Sequence, residues 1–227
     1  MIVSIHQPAY IPWLKYFHKI AKSDIHIFLN DAEYSKNNLF NRNKIKTAQG
    51  EMWLTIPIKY KSDNLICETK IDNNSDWGKK HWKTIKLNYA KAPYFKEYAN
   101  IFEKFYLQNY EYLSDLTIAI NKAIAELLEI KVKFIKSSEL KVGGTKNEKL
   151  INLCKAVDAD TYLSGQGAKA YMNKNLFLNN NIKVNYQEFL NPKYKQLWGD
   201  FVPDLSIIDF LFNCGKEEIK KYLWKKN

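Results

Sequence analysis

The opening of the chain restricts its fold more than any other stretch. Ile2 to His6 is a short apolar run ending in polar residues, and Ile25 to Leu29 is a second one ending at Asn30-Asp31. Between them Pro12 suits a first helical position, and Trp13, Phe17, Ile20 and Ala21 recur at the spacing of one helix face. A strand, a helix and a strand in this order predict two parallel neighbours in a sheet, with the helix as the crossover.

The rest of the pattern extends that reading. Met52 to Ile58 and Leu65 to Ile71 read as strands joined at Ser62-Asp63-Asn64, a hairpin. Asn73 to Trp82 is polar and irregular, and from Trp82 to Leu128 the apolar spacing is mostly helical. Alternation then returns. Val132 to Ile135, Thr161 to Ser164 and Ile182 to Tyr186 read as strands. Thr145 to Glu148 is a capping-box pattern, Ala168 to Leu178 a helix, and Pro203 to Phe212 a helix stopped at Asn213-Cys214-Gly215. The expected fold is a three-layer α/β architecture with a mainly parallel, Rossmann-like sheet. It has a helical insertion over 82–130, within one domain spanning 1–227. No repeat, low-complexity tract or linker divides the 227 residues.

Composition narrows the function classes. The net charge of +11 favours anionic partners, but the lysines are spread along the chain. The dense terminal segment, Lys216 to Lys226, alternates with Glu217 and Glu218 and reads as a solvated amphipathic helix. No RNA-binding string of glycines and aromatics occurs, so nucleic acid is not the expected partner. Cys67, Cys154 and Cys214 lack metal-ligand spacing, as do the four histidines, and no metal site is expected. No hydrophobic targeting core precedes Ile2 and no apolar run is long enough to span a bilayer, which predicts a cytoplasmic protein without membrane insertion.

Four stretches carry chemistry. In His6-Gln7-Pro8-Ala9-Tyr10-Ile11-Pro12-Trp13, a histidine sits where the first strand ends, the end at which open parallel sheets gather ligands. His6 can exchange protons, Gln7 and Tyr10 can hydrogen-bond a polar ligand, and Trp13 offers a stacking face. Asp31 emerges on the same rim, able to orient His6, pair with Arg42 or take a substrate amine. Downstream, Asn41-Arg42-Asn43 holds the one arginine among 35 cationic residues, and a guanidinium forks onto carboxylate or phosphate as an ammonium does not. Finally, Leu163-Ser164-Gly165-Gln166-Gly167-Ala168 is a strand running into a glycine turn, suited to a phosphate, nucleotide or carboxylate. Gly165, Gly167 and Ala170 formally match a dinucleotide fingerprint with Glu188 as its acid, but that motif opens a fold and this one lies late. Ser206 and Asp209 lie one turn apart on an apolar helix and read as support for a site or a tie to a loop. His81 is a second candidate proton carrier; His18 reads as a helix-surface residue and His26 as a strand residue.

Together these stretches resemble the WbqC-like family. The resemblance rests on Ile5-His6-Gln7-Pro8, Tyr10, Pro12-Trp13-Leu14, Phe17, Asp31, Asn41-Arg42-Asn43, His81-Trp82 and Ala92-Pro93-Tyr94. It continues through Tyr162-Leu163-Ser164-Gly165, Gly167, Tyr171, Tyr186, Pro192, Tyr194 and Ser206-Ile207-Ile208-Asp209. The first block is the most specific, and the likeness runs nearly the full length. It implies a setting in bacterial O-antigen (lipopolysaccharide) and sugar modification, with transfer of an acyl or aminoacyl group such as glycyl onto a nucleotide-linked amino sugar. In that reading His6 is the base, Asp31 its orienter or the amine binder, and Gln7 an oxyanion donor. Arg42 and the Gly165–Gly167 turn hold diphosphate or carboxylate. His81, Tyr10, Trp13, Asn41, Asn43, Ser164 and Asp209 complete the candidate set. Two other readings compete. One is a nucleotide-dependent ligase or nucleotidylyltransferase-like enzyme consuming ATP, although Tyr10 to Leu14 lacks the histidine pair of that pattern. The other is a non-catalytic module that binds a sugar nucleotide or an acidic acyl carrier protein.

Overall fold

The computed structural model describes residues 1–36 and 38–224. Lys225 and Lys226, at the end of the expected terminal helix, lie outside the described residues. The elements follow in chain order as β1 (Ile2–His6), α1 (Leu14–Ala21), β2 (Ile25–Phe28), β3 (Arg42–Thr47), β4 (Gly50–Thr55), β5 (Ile58–Lys59) and β6 (Lys70–Ile71). Then come α2 (Trp77–Tyr89), α3 (Phe95–Leu107), α4 (Leu113–Leu127), β7 (Lys133–Lys136), α5 (Ser137–Leu140), α6 (Lys146–Ala156), β8 (Thr161–Ser164), α7 (Lys174–Leu178), β9 (Lys183–Tyr186) and α8 (Ile207–Trp224).

Five strands form one sheet in the order β7-β2-β1-β8-β9, and every pairing is parallel. Val3 lies opposite Ile25 on one side and Tyr162 on the other. The period-2 alternation of strands sorts the side chains between two faces. Val3, Ile5, Ile25 and Ile27 pack with Leu153 and Cys154 of α6 and Phe177 of α7. Each such fully buried side chain stabilises the fold by roughly 1.5–3 kcal/mol. Ser4, His6, His26 and Phe28 alternate with them on the opposite face. There Ser4 Oγ bonds His26 Nδ1 at 2.8 Å and Tyr16 of α1 meets the rings of both histidines. The Rossmann-like three-layer fold read from the opening is thus present.

The long β2-to-β7 crossover holds the helical insertion and more. Helices α2, α3 and α4 fill it from Trp77 onward, five residues earlier than the expected start at 82, and two small antiparallel pairs precede them. Those pairs correct the expected hairpin. Arg42 to Thr47 pairs with Gly50 to Thr55, while Ile58-Lys59 pairs with Ile71-Lys70 and Leu65 to Glu68 is mostly a 3-10 turn. The polar Asn41-Arg42-Asn43 shows no strand pattern in the sequence, yet Arg42 and Asn43 open β3. The partners of that strand lie in distant segments: Asn43 reaches the loop after β1, and Lys46 N–H donates to Tyr89 of α2 at 2.8 Å.

Three local expectations also change. Ala168 to Leu178 is not one helix but a 3-10 turn (Gln166–Ala170) followed by α7, because the Asn173 side chain accepts from Leu176 N at 3.3 Å and starts a new helix. Thr145 is the N-cap of α6 without a side-chain cap bond, so the capping box is not made. The last helix starts at Ile207 rather than Pro203. It kinks at Gly215, whose φ of 79° and 2.8 Å Cβ clearance to the Tyr94 ring demand glycine, as the expected stop at that position required.

Candidate functional site

The loop from β1 to α1 is held by its own carbonyls. Asn121 Nδ2 of α4 donates to Ala9 O at 2.7 Å, and Asn43 Nδ2 of β3 donates to Tyr10 O at 3.2 Å and Ile11 O at 2.9 Å. Ile207 N–H at the start of α8 donates to Pro12 O at 3.0 Å. Four consecutive residues are therefore clamped from three elements. The clamp maintains Ile11 at φ 37°, a conformation that a β-branched residue adopts only under such constraint. What the clamp holds in place is the start of the loop, His6 and Gln7, at the carboxyl end of β1.

That end is the topological switch point. From β1 the chain order runs outward through β2 and β7 on one side, and through β8 and β9 on the other. In parallel sheets such a reversal leaves a crevice at the carboxyl ends of the two central strands. Here the crevice has two lobes that share Ile5, His6, Tyr162 and Tyr171. The larger, about 730 Å³, is lined further by Gln7, Asp31, Glu33, Lys146 and Lys149. The smaller, about 310 Å³, is lined by Trp13, Lys15, Lys19, Gln187 and the Ser164–Ala168 turn. Both volumes fall in the range of small-molecule sites.

His6 stands between the lobes. Its ring meets Tyr16 and Trp13 edge-on, at centroid distances of 5.0 and 6.2 Å. Its Nδ1 lies 2.9 Å from Gln7 O. A carbonyl can only accept, so Nδ1 carries the proton and Nε2 keeps the basic lone pair. Burial, then the Lys19 ammonium, hold the His6 imidazolium down to about 3, so the ring is neutral at physiological pH. The orienting partner is thus the Gln7 backbone and not Asp31. Asp31 instead pairs with Lys149 Nζ at 2.7 Å and accepts from Ser137 Oγ, binding the loop after β2 to α5 and α6.

The glycine turn is open. Gly165 has φ −75° and neither it nor Gly167 is in a left-handed conformation. A Cβ at either position would meet nothing within 4 Å. Neither backbone geometry nor packing therefore asks for glycine here. What the two residues leave is a bare floor on which a ligand can approach the backbone.

The remaining sequence candidates lie elsewhere. Tyr10 is fully buried, and its hydroxyl bonds His81 Nδ1 at 2.9 Å and Tyr106 OH at 2.8 Å. Burial lowers His81 to about 4. Neither Tyr10 nor His81 lines the cleft; together they tie the loop to α2 and α3. Asn41 donates to Ile56 O at 2.8 Å and accepts from Tyr34 OH at 3.0 Å. Arg42 stacks its guanidinium 4.4 Å over Trp53 of β4, outside both lobes. Asp209, fully buried on α8, accepts from Tyr89 OH and Tyr194 OH, each at 2.7 Å, and burial raises its carboxyl above the usual range. His18, expected at a helix surface, is buried against Phe189 and accepts from Gln187 Nε2 at 2.8 Å.

Sequence reasoning missed Lys15, Lys19, Lys149, Gln187 and Tyr171 as cleft residues. The lysines carried no signal, being a few among many. Among the described residues no group of three or more His, Cys, Asp or Glu side chains could hold a metal ion, and no helix is long and apolar enough to cross a membrane.

A model of the WbqC-like protein family matches residues 7–221. A protein of Mycobacterium tuberculosis (strain ATCC 25618 / H37Rv), described as uncharacterized protein Rv1507c, is 39% identical over 219 residues, which cover 95% of this chain and 94% of that protein. No solved structure matches the chain.

Proposed function

The chain belongs to the WbqC-like family, and from that premise we propose that it transfers an acyl group, such as glycyl, to the amine of a nucleotide-linked amino sugar in bacterial surface polysaccharide synthesis. The observation that carries this reading is the position of neutral His6 between two lobes of unlike charge. The larger holds Asp31 and Glu33 beside Lys146 and Lys149, whereas the smaller holds Lys15 and Lys19 with no acid. An amino sugar joined to a nucleotide has the matching polarity, an ammonium at one end and phosphates at the other.

The chemistry follows from those roles. The sugar ammonium exchanges with Lys149 for Asp31, gives up one proton to water and approaches His6 as the neutral amine. The amine attacks the donor carbonyl, a new C–N bond forms, and the bond to the leaving group breaks. Once joined to the carbonyl carbon the nitrogen is far more acidic than a free ammonium. His6 Nε2, although a weak base, can therefore take its proton and pass it to the departing group. Gln7 lines the larger lobe, and in this reading it donates to the developing oxyanion. The net charge of +11 favours a donor carried on an acidic carrier protein, with binding that weakens as salt is raised. Salt-insensitive binding would remove that part of the reading.

The test is mass spectrometry of nucleotide-linked amino sugars incubated with the protein and a panel of activated acyl donors, with and without ATP. A donor-dependent adduct that His6→Ala slows by ~10²–10⁴ supports the reading, since general-base catalysis typically contributes that much. A folded His6→Ala variant of full activity would refute the role of His6. The parallel sheet with a ligand crevice at its switch point equally suits a nucleotide-consuming ligase or nucleotidylyltransferase. Pyrophosphate or phosphate release from ATP identifies that reading.

A further inference from the structure

We infer that the smaller lobe is a phosphoryl-binding site in which the Lys19 ammonium is the principal contact, with Lys15 beside it and the Gly165–Gly167 backbone as its floor. This rests on the reading above for the identity of the ligand, but not for the site itself. Lys19 is only 4% exposed, yet no acidic side chain among the described residues pairs with it. One of its three N–H donors is used, on Ile5 O at 3.3 Å. A buried ammonium without a counter-ion is costly, and long side chains normally avoid it by snorkelling or by pairing. Lys19 sits at the wall of a cavity whose other charged lining residue is Lys15. A cavity with two cations and no anion is complementary to a bound anion. Arg42, the residue first suggested by composition, lies outside it.

The remaining groups facing Lys19 do not compensate its charge. Lys15 lies one turn earlier on α1. His6 of β1 and His26 of β2 are held neutral by burial, and Tyr16 and Tyr162 are pushed far above their usual range. Tyr171 completes the titratable lining. Burial, and then the charge of Lys15, lower Lys19 to about 7. An empty site therefore holds a Lys19 that is partly neutral near pH 7, and an arriving anion pulls a proton onto it.

Sulfate is the first probe, because it stays a dianion throughout pH 6–9. It is titrated into the full chain with the Gly165 and Gly167 amide resonances followed by NMR, and calorimetry in buffers of different ionisation enthalpy counts protons. At pH 8 we expect uptake of close to one proton per sulfate, and affinity should fall by about tenfold or more from pH 7 to 9. Lys19→Met should fold, with raised thermal stability because a lone buried charge has gone, and should bind sulfate at least about tenfold more weakly. Lys19→Arg should bind without the pH dependence, since guanidinium stays charged above pH 12. Lys15→Met should weaken binding and also reduce the proton uptake at pH 8, because Lys19 then keeps more of its proton in the empty site. UDP should reproduce the glycine shifts and the Lys19 dependence. Acetate binding as tight as sulfate would make this a carboxylate site and overturn the assignment, as would sulfate binding with no proton uptake or equal affinity in Lys19→Met. Lys19-dependent sulfate and UDP binding without any acyl transfer would sink the proposed activity and leave this site standing. Acyl transfer with an unchanged KM in Lys19→Met would do the reverse.

Discussion

Replacing Asn43 separates a brace from a substrate contact. The residue is 3% exposed, and its amide is fully used. Its two Nδ2 hydrogens go to Tyr10 O and Ile11 O at 3.2 and 2.9 Å, and Oδ1 accepts from Lys44 N at 2.8 Å. Tyr10 and Ile11 are themselves fully buried, so water does not replace the lost donors. Leaving a buried polar group unpaired costs ~1–3 kcal/mol, and Asn43→Ala orphans two carbonyls. The clamp at Ile11 weakens at the same time, so the loop can relax and recover part of the loss. We expect Asn43→Ala to lose about 2–4 kcal/mol, or roughly 5–15 °C in Tm for a chain of this size. Asn43→Asp should lose more, because it sets a carboxylate against two carbonyl oxygens. Urea and thermal unfolding followed by circular dichroism measure both. A loss below about 0.5 kcal/mol, combined with weaker ligand binding, would refute the bracing role and return Asn43 to the set of ligand contacts.

Acid should unfold the protein steeply. His6 is held to about 3, His18 and His81 to about 4 and His26 well below 6.5, chiefly by burial. Between these values and 6.5 the unfolded chain binds more protons, so the stability that these four neutral rings contribute is complete above pH 6.5 and is lost as pH falls. Near pH 5 about three to four extra protons are bound on unfolding, a slope of ~4–5 kcal/mol per pH unit before Asp209 offsets part of it. Stability that is flat from pH 7 to 5 in denaturant titrations would contradict the burial of these rings. Gly165→Ala should keep or slightly raise Tm, because its φ of −75° suits alanine and nothing lies within 4 Å, yet weaken sulfate and UDP binding. Unchanged binding would mean that the ligand does not approach this floor. His6→Ala, read by adduct formation, completes the set.

Much of the fold was legible because it is written in local periodicity. Ile2 to His6 and Ile25 to Phe28 alternate between two faces, and α1 between them shows helical spacing, so the parallel opening followed from neighbours in sequence alone. The strand at Arg42 was not legible, since the Asn43 side chain finds its partners in Tyr10 and Ile11 and the Lys46 N–H finds its partner in Tyr89, all far along the chain. The single helix expected over Ala168 to Leu178 failed for a related reason. Apolar spacing continues through Tyr171 and Met172, but the Asn173 cap resets the backbone.

The site divides along the same line. His6, Gln7, Asp31 and the glycine turn could be named from sequence because each ends a strand, and strand ends in a parallel sheet share one rim. Residue type alone pointed to Arg42, Asn43, His81 and Asp209, all four of which spend their polar atoms or rings on packing contacts away from that rim. Lys19 shows the converse. One lysine among many says nothing in a sequence, because the meaning of an ammonium depends on whether water or an acid stands beside it. Burying it at a cavity wall with no acid to pair with, a decision that only tertiary packing makes, sets this lysine apart from the surface cations around it.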